Sequence, residues 1–223
     1  MPTARKLTDL TYEEMLELAT QGSQVMHNRA VELASVYNLP ILVTSSMVDA
    51  PGTLIRGEAE LEERNRVRAI AHDSDVAKIT VRQVPDRPGI AAQVFGAIAG
   101  KNIVVDMIVQ NISQDGYTDM SFTLPRGDHA RAVTVLEEVA RNIGAKGVLH
   151  DPRVAKVSIV GVGMRSHSGV ASKMFATLSR EGINIQMIST SEIAVSCVIE
   201  DKYAELAVRA LHDAFEVGRG SAS

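Results

Sequence analysis

The chain reads as an α+β protein built from two copies of one βαββαβ unit, the first copy inserted within the second. Three observations predict this. The run Val76-Ala77-Lys78-Ile79-Thr80-Val81 recurs as Val154-Ala155-Lys156-Val157-Ser158-Ile159. Each run follows a His-Asp pair, His72-Asp73 or His150-Asp151, and leads into a loop, an alanine-rich amphipathic stretch around Phe95 or Phe175, and an apolar strand at 103–107 or 183–187. Self-similarity of that length exceeds a short solenoid period and denotes a duplicated domain. The third observation is an asymmetry: the second copy ends without a closing strand.

In the first copy, residues 76–84 alternate as a strand, and Pro85-Asp86-Arg87-Pro88-Gly89 interrupts it. Residues 90–100 then set Val94, Phe95 and Ile98 on one helical face. Strands follow at 103–112 and 118–124, around the turn signal Asp115-Gly116. Asp128 is the expected cap of a helix to about Arg141 with Val135, Leu136 and Val139 inward, and 148–150 is a short closing strand. This order predicts a ferredoxin-like sandwich with its helices on one face.

The second copy repeats the order through 154–163, 168–180, 183–189, 193–199 and 203–215. Its missing strand has a candidate upstream, because 67–72 precedes Val76 as 148–150 precedes Val154. The expected division is a leading segment 1–57, a linker 58–66, a first domain 76–151, a second domain made of 67–75 with 152–217, and a disordered tail 218–223. Cutting at Asp151 is therefore not expected to yield two independent halves.

The 223 residues carry 45% hydrophobic content, enough for two small cores. A net charge of −4 gives no basic surface for nucleic acid or anionic membrane. No apolar run reaches membrane-spanning length, no signal-peptide pattern opens the chain, and a lone Cys197 suits a reducing cytoplasm. Within the leading segment, Thr11-Tyr12-Glu13-Glu14 is a capping box opening a helix through Ala19. A second helix is expected over 23–37, a strand over 41–44, and a Pro51-Gly52 turn before Thr53-Leu54-Ile55. These are the edge of an α/β unit, too little for a core of their own.

The loop Asp86-Arg87-Pro88-Gly89, running into Ile90 and Ala91, is the leading candidate site. Pro88 fixes the backbone, Gly89 allows close approach, and the amides of a helix start receive a carboxylate while Asp86 accepts an ammonium. An amino acid carries both groups. Gln110 and Asn111 close the neighbouring strand near the same sheet end, and Asp106 is a further acidic candidate. An ordinary turn capped by Asp86 is the competing reading. The equivalent loop of the second copy keeps Ser166, His167 and Gly169 but lacks the Asp-x-Pro pattern, and Thr190, Ser191 and Glu192 stand where the Gln110 region stands in the first.

Other chemistries find no support. Gly161-Val162-Gly163 begins like a dinucleotide fingerprint, but Ser166 occupies the third glycine position and this fold lacks the parallel crossover. No phosphate-gripping loop, metal-ligand spacing or nucleophile elbow is present.

The duplication, with Asp86-Arg87-Pro88-Gly89, Asp106-Met107-Ile108-Val109-Gln110-Asn111 and Ile188-Ser189-Thr190-Ser191-Glu192-Ile193, resembles the paired ACT domains of aspartate kinases. Glu14-Met15-Leu16-Glu17-Leu18-Ala19, Arg29-Ala30-Val31-Glu32 and Pro51-Gly52-Thr53-Leu54-Ile55 resemble the C-terminal edge of that family's α/β amino-acid-kinase domain. The resemblance implies feedback control, in which ACT domains bind end-product amino acids, lysine or threonine, and govern phosphorylation of aspartate by ATP. It implies effector contacts at Asp86, Gly89, Ala91, Gln110 and Asn111, an equivalent region at Ser166, His167, Thr190 and Glu192, and dimerisation through ACT domains. The second loop lacks both the acidic residue and the proline often found there.

The family's nucleotide-binding start is not among these residues. The expectation is therefore a chain inactive alone, with no cofactor of its own, that acts with a catalytic subunit carrying ATP and Mg. An ACT pair attached to another enzyme or regulator is the alternative, and an RNA-binding sheet is disfavoured by acidity and by the lack of stacked aromatics.

Overall fold

The computed structural model describes residues 4–57, 67–111, 115–161 and 169–217. The expected linker 58–66 and tail 218–223 lie outside the described residues, as do Ser166 and His167. Two compact units emerge, one of residues 74–155 with 200–202 and the other of 1–73, 156–199 and 203–223.

In the 74–155 unit the long strand β4 (Ala69–Pro85) supplies its second part, followed by α3 (Ile90–Ala99), β5 (Ile108–Gln110), β6 (Tyr117–Pro125), α4 (His129–Ile143) and the first part of β7 (Gly147–Val160). Its sheet runs β5-β6-β4-β7. Ala77, Ile79, Val81 and Val84 point from β4 toward Val94 and Ile98 of α3 and Leu136 of α4, with Met120, Phe122 and Leu124 of β6 completing a sealed core. Phe95 meets the Phe122 ring edge-on at 5.3 Å between centroids.

The other unit uses the second part of β7, then α5 (Val170–Arg180), β8 (Met187–Thr190), β9 (Ala194–Glu200) and α6 (Ala204–Ala214), and takes the first part of β4 as its remaining strand. The Arg68 amide donates to the Val160 carbonyl at 2.7 Å. Val157, Ile159, Cys197 and Ile199 face Met174, Leu178, Ala207 and Leu211 of the helices.

The leading segment belongs to this second unit and covers the sheet face its helices leave open. It forms β1 (Asp9–Thr11), α1 (Tyr12–Thr20), α2 (Asn28–Val36), β2 (Ile41–Val43) and β3 (Thr53–Arg56), with sheet order β1-β3-β2. Leu10, Met15, Leu18, Val31 and Ile55 pack with Ala71, Val160 and Ala194. Gln21 Oε1 accepts from Ser158 Oγ at 2.8 Å, and Ser158 and Ser196 hydroxyls meet at 2.7 Å, all buried. Thr80 and Ser121, the repeat-equivalent pair in the other unit, meet at 2.8 Å but remain half-buried.

Several expectations change in detail. The capping box is present: Thr11 Oγ1 accepts from the Glu14 amide, and Glu14 Oε2 from the Thr11 amide, each at 3.0 Å. Asp128 does not cap α4; a 3-10 turn over Arg126–Asp128 precedes the helix, and Asp128 pairs instead with Arg131 at 2.9 Å. Of the strand expected over 103–112, Ile108–Gln110 is strand; just ahead of it the Met107 amide goes to Thr123 Oγ1, while the Asp106 amide and the Met107 carbonyl still bond the Thr123 backbone. The helix expected over 23–37 begins only at Asn28, with His27 Nδ1 accepting from the Arg29 amide. The short strands expected at 67–72 and 148–150 are not separate from those after them, since β4 and β7 each run unbroken.

Candidate functional site

β4 and β5 each lie antiparallel to β6, so they run in one direction and end together. The Asp86 loop and Gln110-Asn111 therefore share one end of the sheet. They do not sit on adjacent strands, as the sequence suggested: β6 lies between β4 and β5, separating them by roughly 10 Å, two strand spacings. The start of β6 thus belongs to the same rim, and Thr118 Oγ1 donates to the Asn111 carbonyl there. Neither Thr118 nor its neighbour Asp119 stood out in the sequence, where both read as ordinary positions of an alternating strand.

The loop itself is built for approach. The Asp86 amide is spent on the Gly116 carbonyl at 2.8 Å, which holds the backbone while the exposed Asp86 side chain projects outward. Gly89 stands at the start of α3 with φ 90° and ψ −14°, a left-handed conformation costly for a side-chain-bearing residue. A methyl group placed on it would meet nothing within 4 Å, so open space lies over this helix start. No side chain caps α3. Ile90 is buried beneath it as an anchor, while Pro88, Ala91, Gln110 and Asn111 are exposed. Asp106, the further acidic candidate, is exposed too but stands away from this rim at the other end of β5, its amide on the Thr123 carbonyl at 2.9 Å. Uncapped amides, an acidic side chain and two carboxamides at one rim can receive a carboxylate, an ammonium and further polar groups.

In the second copy Gly169 repeats the geometry of Gly89, with φ 96° and ψ −15° at the start of α5. Thr190 ends β8 and Ser191 turns the chain toward β9. The Ser191 hydroxyl accepts the Ala194 amide at 3.0 Å, so it serves its own turn. Ser166 and His167 lie outside the described residues, and with them most of the Gly161-Val162-Gly163 stretch.

His150 Nδ1 lies 3.0 Å from Nε2 of His129, with the rings edge-on. Among the described residues no group of three or more His, Cys, Asp or Glu side chains is placed to hold a metal, and no helix is long and apolar enough to cross a membrane.

Comparison with known proteins adds the lineage. ACT-domain models match residues 79–144 and 157–215, one in each copy. An aspartokinase of Pseudomonas aeruginosa is 55% identical over 219 residues, covering 97% of this chain and 53% of that protein. The chain spans about half the length of the curated relatives it matches. Among solved structures, a chain of aspartokinase alpha and beta subunits is 57% identical, with 67% of this chain and 99% of that chain covered and a TM-score of 0.64. The regulatory subunit of aspartate kinase from Thermus thermophilus, in its ligand-free form, is 44% identical over 68% of this chain and 99% of its own, again with a TM-score of 0.64. The chain belongs to the aspartate kinase family and corresponds to its regulatory region, with paired ACT domains of which the first is inserted in the second.

Proposed function

We propose that this chain is the amino-acid sensor of a cytoplasmic aspartate kinase, binding an end-product amino acid, lysine or threonine, to restrain phosphorylation of aspartate by ATP. The observation that carries the reading is the open, uncapped start of α3 behind left-handed Gly89, at the same sheet end as Gln110 and Asn111. The effector's carboxylate meets the helix-start amides, its ammonium meets Asp86, and the side chain lies toward Gln110 or Asn111. A second copy of the chain closes the rim in an ACT-mediated dimer. The second copy's rim, with Gly169, Thr190 and Glu192, is the weaker receptor because no acidic residue stands in its loop.

The partner is a catalytic aspartate kinase subunit, and the leading segment is the surface offered to it. Val25, Leu33, Val36, Tyr37, Leu39, Leu42, Met47 and Val48 are all more than half exposed within one short stretch. Beside them lies a cavity of about 440 Å³ lined by Leu10, Met15, Val25, Val43, Ile55 and Ala69 among others. Apolar exposure on this scale marks a surface that is covered in the assembly. Effector binding favours one dimer geometry, and its differential affinity for the two states is what reaches the kinase.

Calorimetric titration with lysine and with threonine, methionine serving as control, tests the sensor. Saturable binding of one of them, lost in Asp86→Ala, supports it. No heat from either amino acid with the chain dimeric and folded overturns it.

A further inference from the structure

We propose that Asp119, on β6, is a positioning residue of the amino-acid site, acting through the backbone of Gln83 to hold the Asp86 loop; the inference rests on the sensor reading above. β4 pairs with β6 in one register from Val76 opposite Pro125 to Val81 opposite Met120, and in another from Val84 opposite Thr118. One extra residue has entered β4 between them, a β-bulge. Inside it Gln83 takes φ 48°, a conformation that residues with a side chain adopt at a cost. Its amide donates to Asp119 Oδ1 at 2.8 Å, an acceptor carrying charge.

The extra residue decides which way the rest of the strand faces. Because side chains alternate along a strand, one inserted position turns every later residue to the other face. With the bulge in place Val84 is sealed in the core, Pro85 lies opposite Tyr117, and the Asp86 amide reaches the Gly116 carbonyl. Without it Val84 would turn outward and the loop would leave the rim shared with Gln110.

The second copy provides the contrast. There Ser158 meets Ser196, and Gly161 donates to the Ile193 carbonyl in the continuation of that register, so no residue has been added up to Gly161. The position equivalent to Asp119 is Ala194. The carboxylate and the bulge occur together in the copy whose loop carries the acidic residue; in the other, Ala194 stands in place of the carboxylate and the register is unshifted through Gly161.

The test uses the full chain and two readouts, calorimetric affinity for lysine or threonine and hydrogen exchange at the Gln83 and Asp86 amides. Asp119→Ala is expected to weaken binding at least tenfold and speed exchange at both amides, with Asp119→Asn intermediate because it keeps an acceptor oxygen. Adding Gln83→Gly to Asp119→Ala is expected to restore both, since glycine holds a positive φ unaided. Unchanged affinity and exchange in Asp119→Ala overturn the inference, as does failure of Gln83→Gly to rescue. Should the parent bind neither amino acid, the sensor reading falls by itself, and exchange still decides whether Asp119 holds the bulge. Asp119→Asn serves if the alanine variant does not fold.

Discussion

Arg68, one residue before β4, sets its guanidinium 2.9 Å from the carboxylate of Asp9 on β1, both side chains about nine-tenths buried. Its Nε also faces Glu14 of the capping box at 3.6 Å. Arg68 thus ties the leading segment to the strand that completes the adjoining sheet. Removing one member of a buried ionic set takes away part of the compensation of the charges that stay behind, at a cost of up to about 3–5 kcal/mol. Arg68→Ala should lower the urea midpoint accordingly, whereas replacing Arg68, Asp9 and Glu14 together with apolar residues should cost less than the single change.

Gly22 lies where two backbones touch. A methyl group there would stand 2.3 Å from the His72 carbonyl oxygen, and φ is 107°. Backbone cannot yield as a side-chain tip does. Gly22→Ala is expected to destabilise the chain by roughly 2–4 kcal/mol from strain and overlap combined, and to speed proteolysis within the leading segment before the rest. Equal protection of both parts would count against it.

Acid should act through His129. Burial, then the neighbouring His150, lower its pKa from the ordinary 6.5, with Asp151 opposing. The unfolded chain therefore binds this proton more readily than the folded one, and stability rises with pH across the window. The contribution is complete above pH 6.5 and declines as the pH falls below it. Urea titrations between pH 7.5 and 5 should show this decline, and His129→Gln should flatten it.

Cys197 should be chemically silent until the fold opens. Burial pushes its thiol from 9.0 up to about 12, which cuts the thiolate present at pH 8 by about a thousandfold. A thiol reagent at that pH should label the unfolded chain at once and the native chain only at the rate of opening. Rapid labelling of the native protein would contradict this packing.

The sequence carried most of the architecture because its signals are local or repeated. The Thr11 to Glu14 box, the Pro88-Gly89 punctuation and the unclosed second copy each announce themselves within a few residues. What escaped depends on partners far along the chain. Just ahead of β5 the Met107 amide turns to the Thr123 hydroxyl, and β1 hides within the capping box that follows it. The rim around Asp86 was legible through its loop, but the part played by β6 was not. Asp119 looks like any outward-facing strand residue, and nothing in the letters of Gln83 announces a positive φ.

The shared strands also bear on the order of folding. Residues 74–155 can close their sheet as soon as β7 emerges, and in doing so they pair β4 with β7, the Lys146 amide meeting the Arg82 carbonyl at 2.9 Å. That pairing holds the far ends of both strands, around Asp73 and Lys156, in position for the Arg68 to Val160 bond. Closing so long a loop from an open chain would carry a substantial entropic cost. If the inserted unit forms first, that cost is met in advance, and the unit is expected to act as an internal template on which the surrounding one assembles.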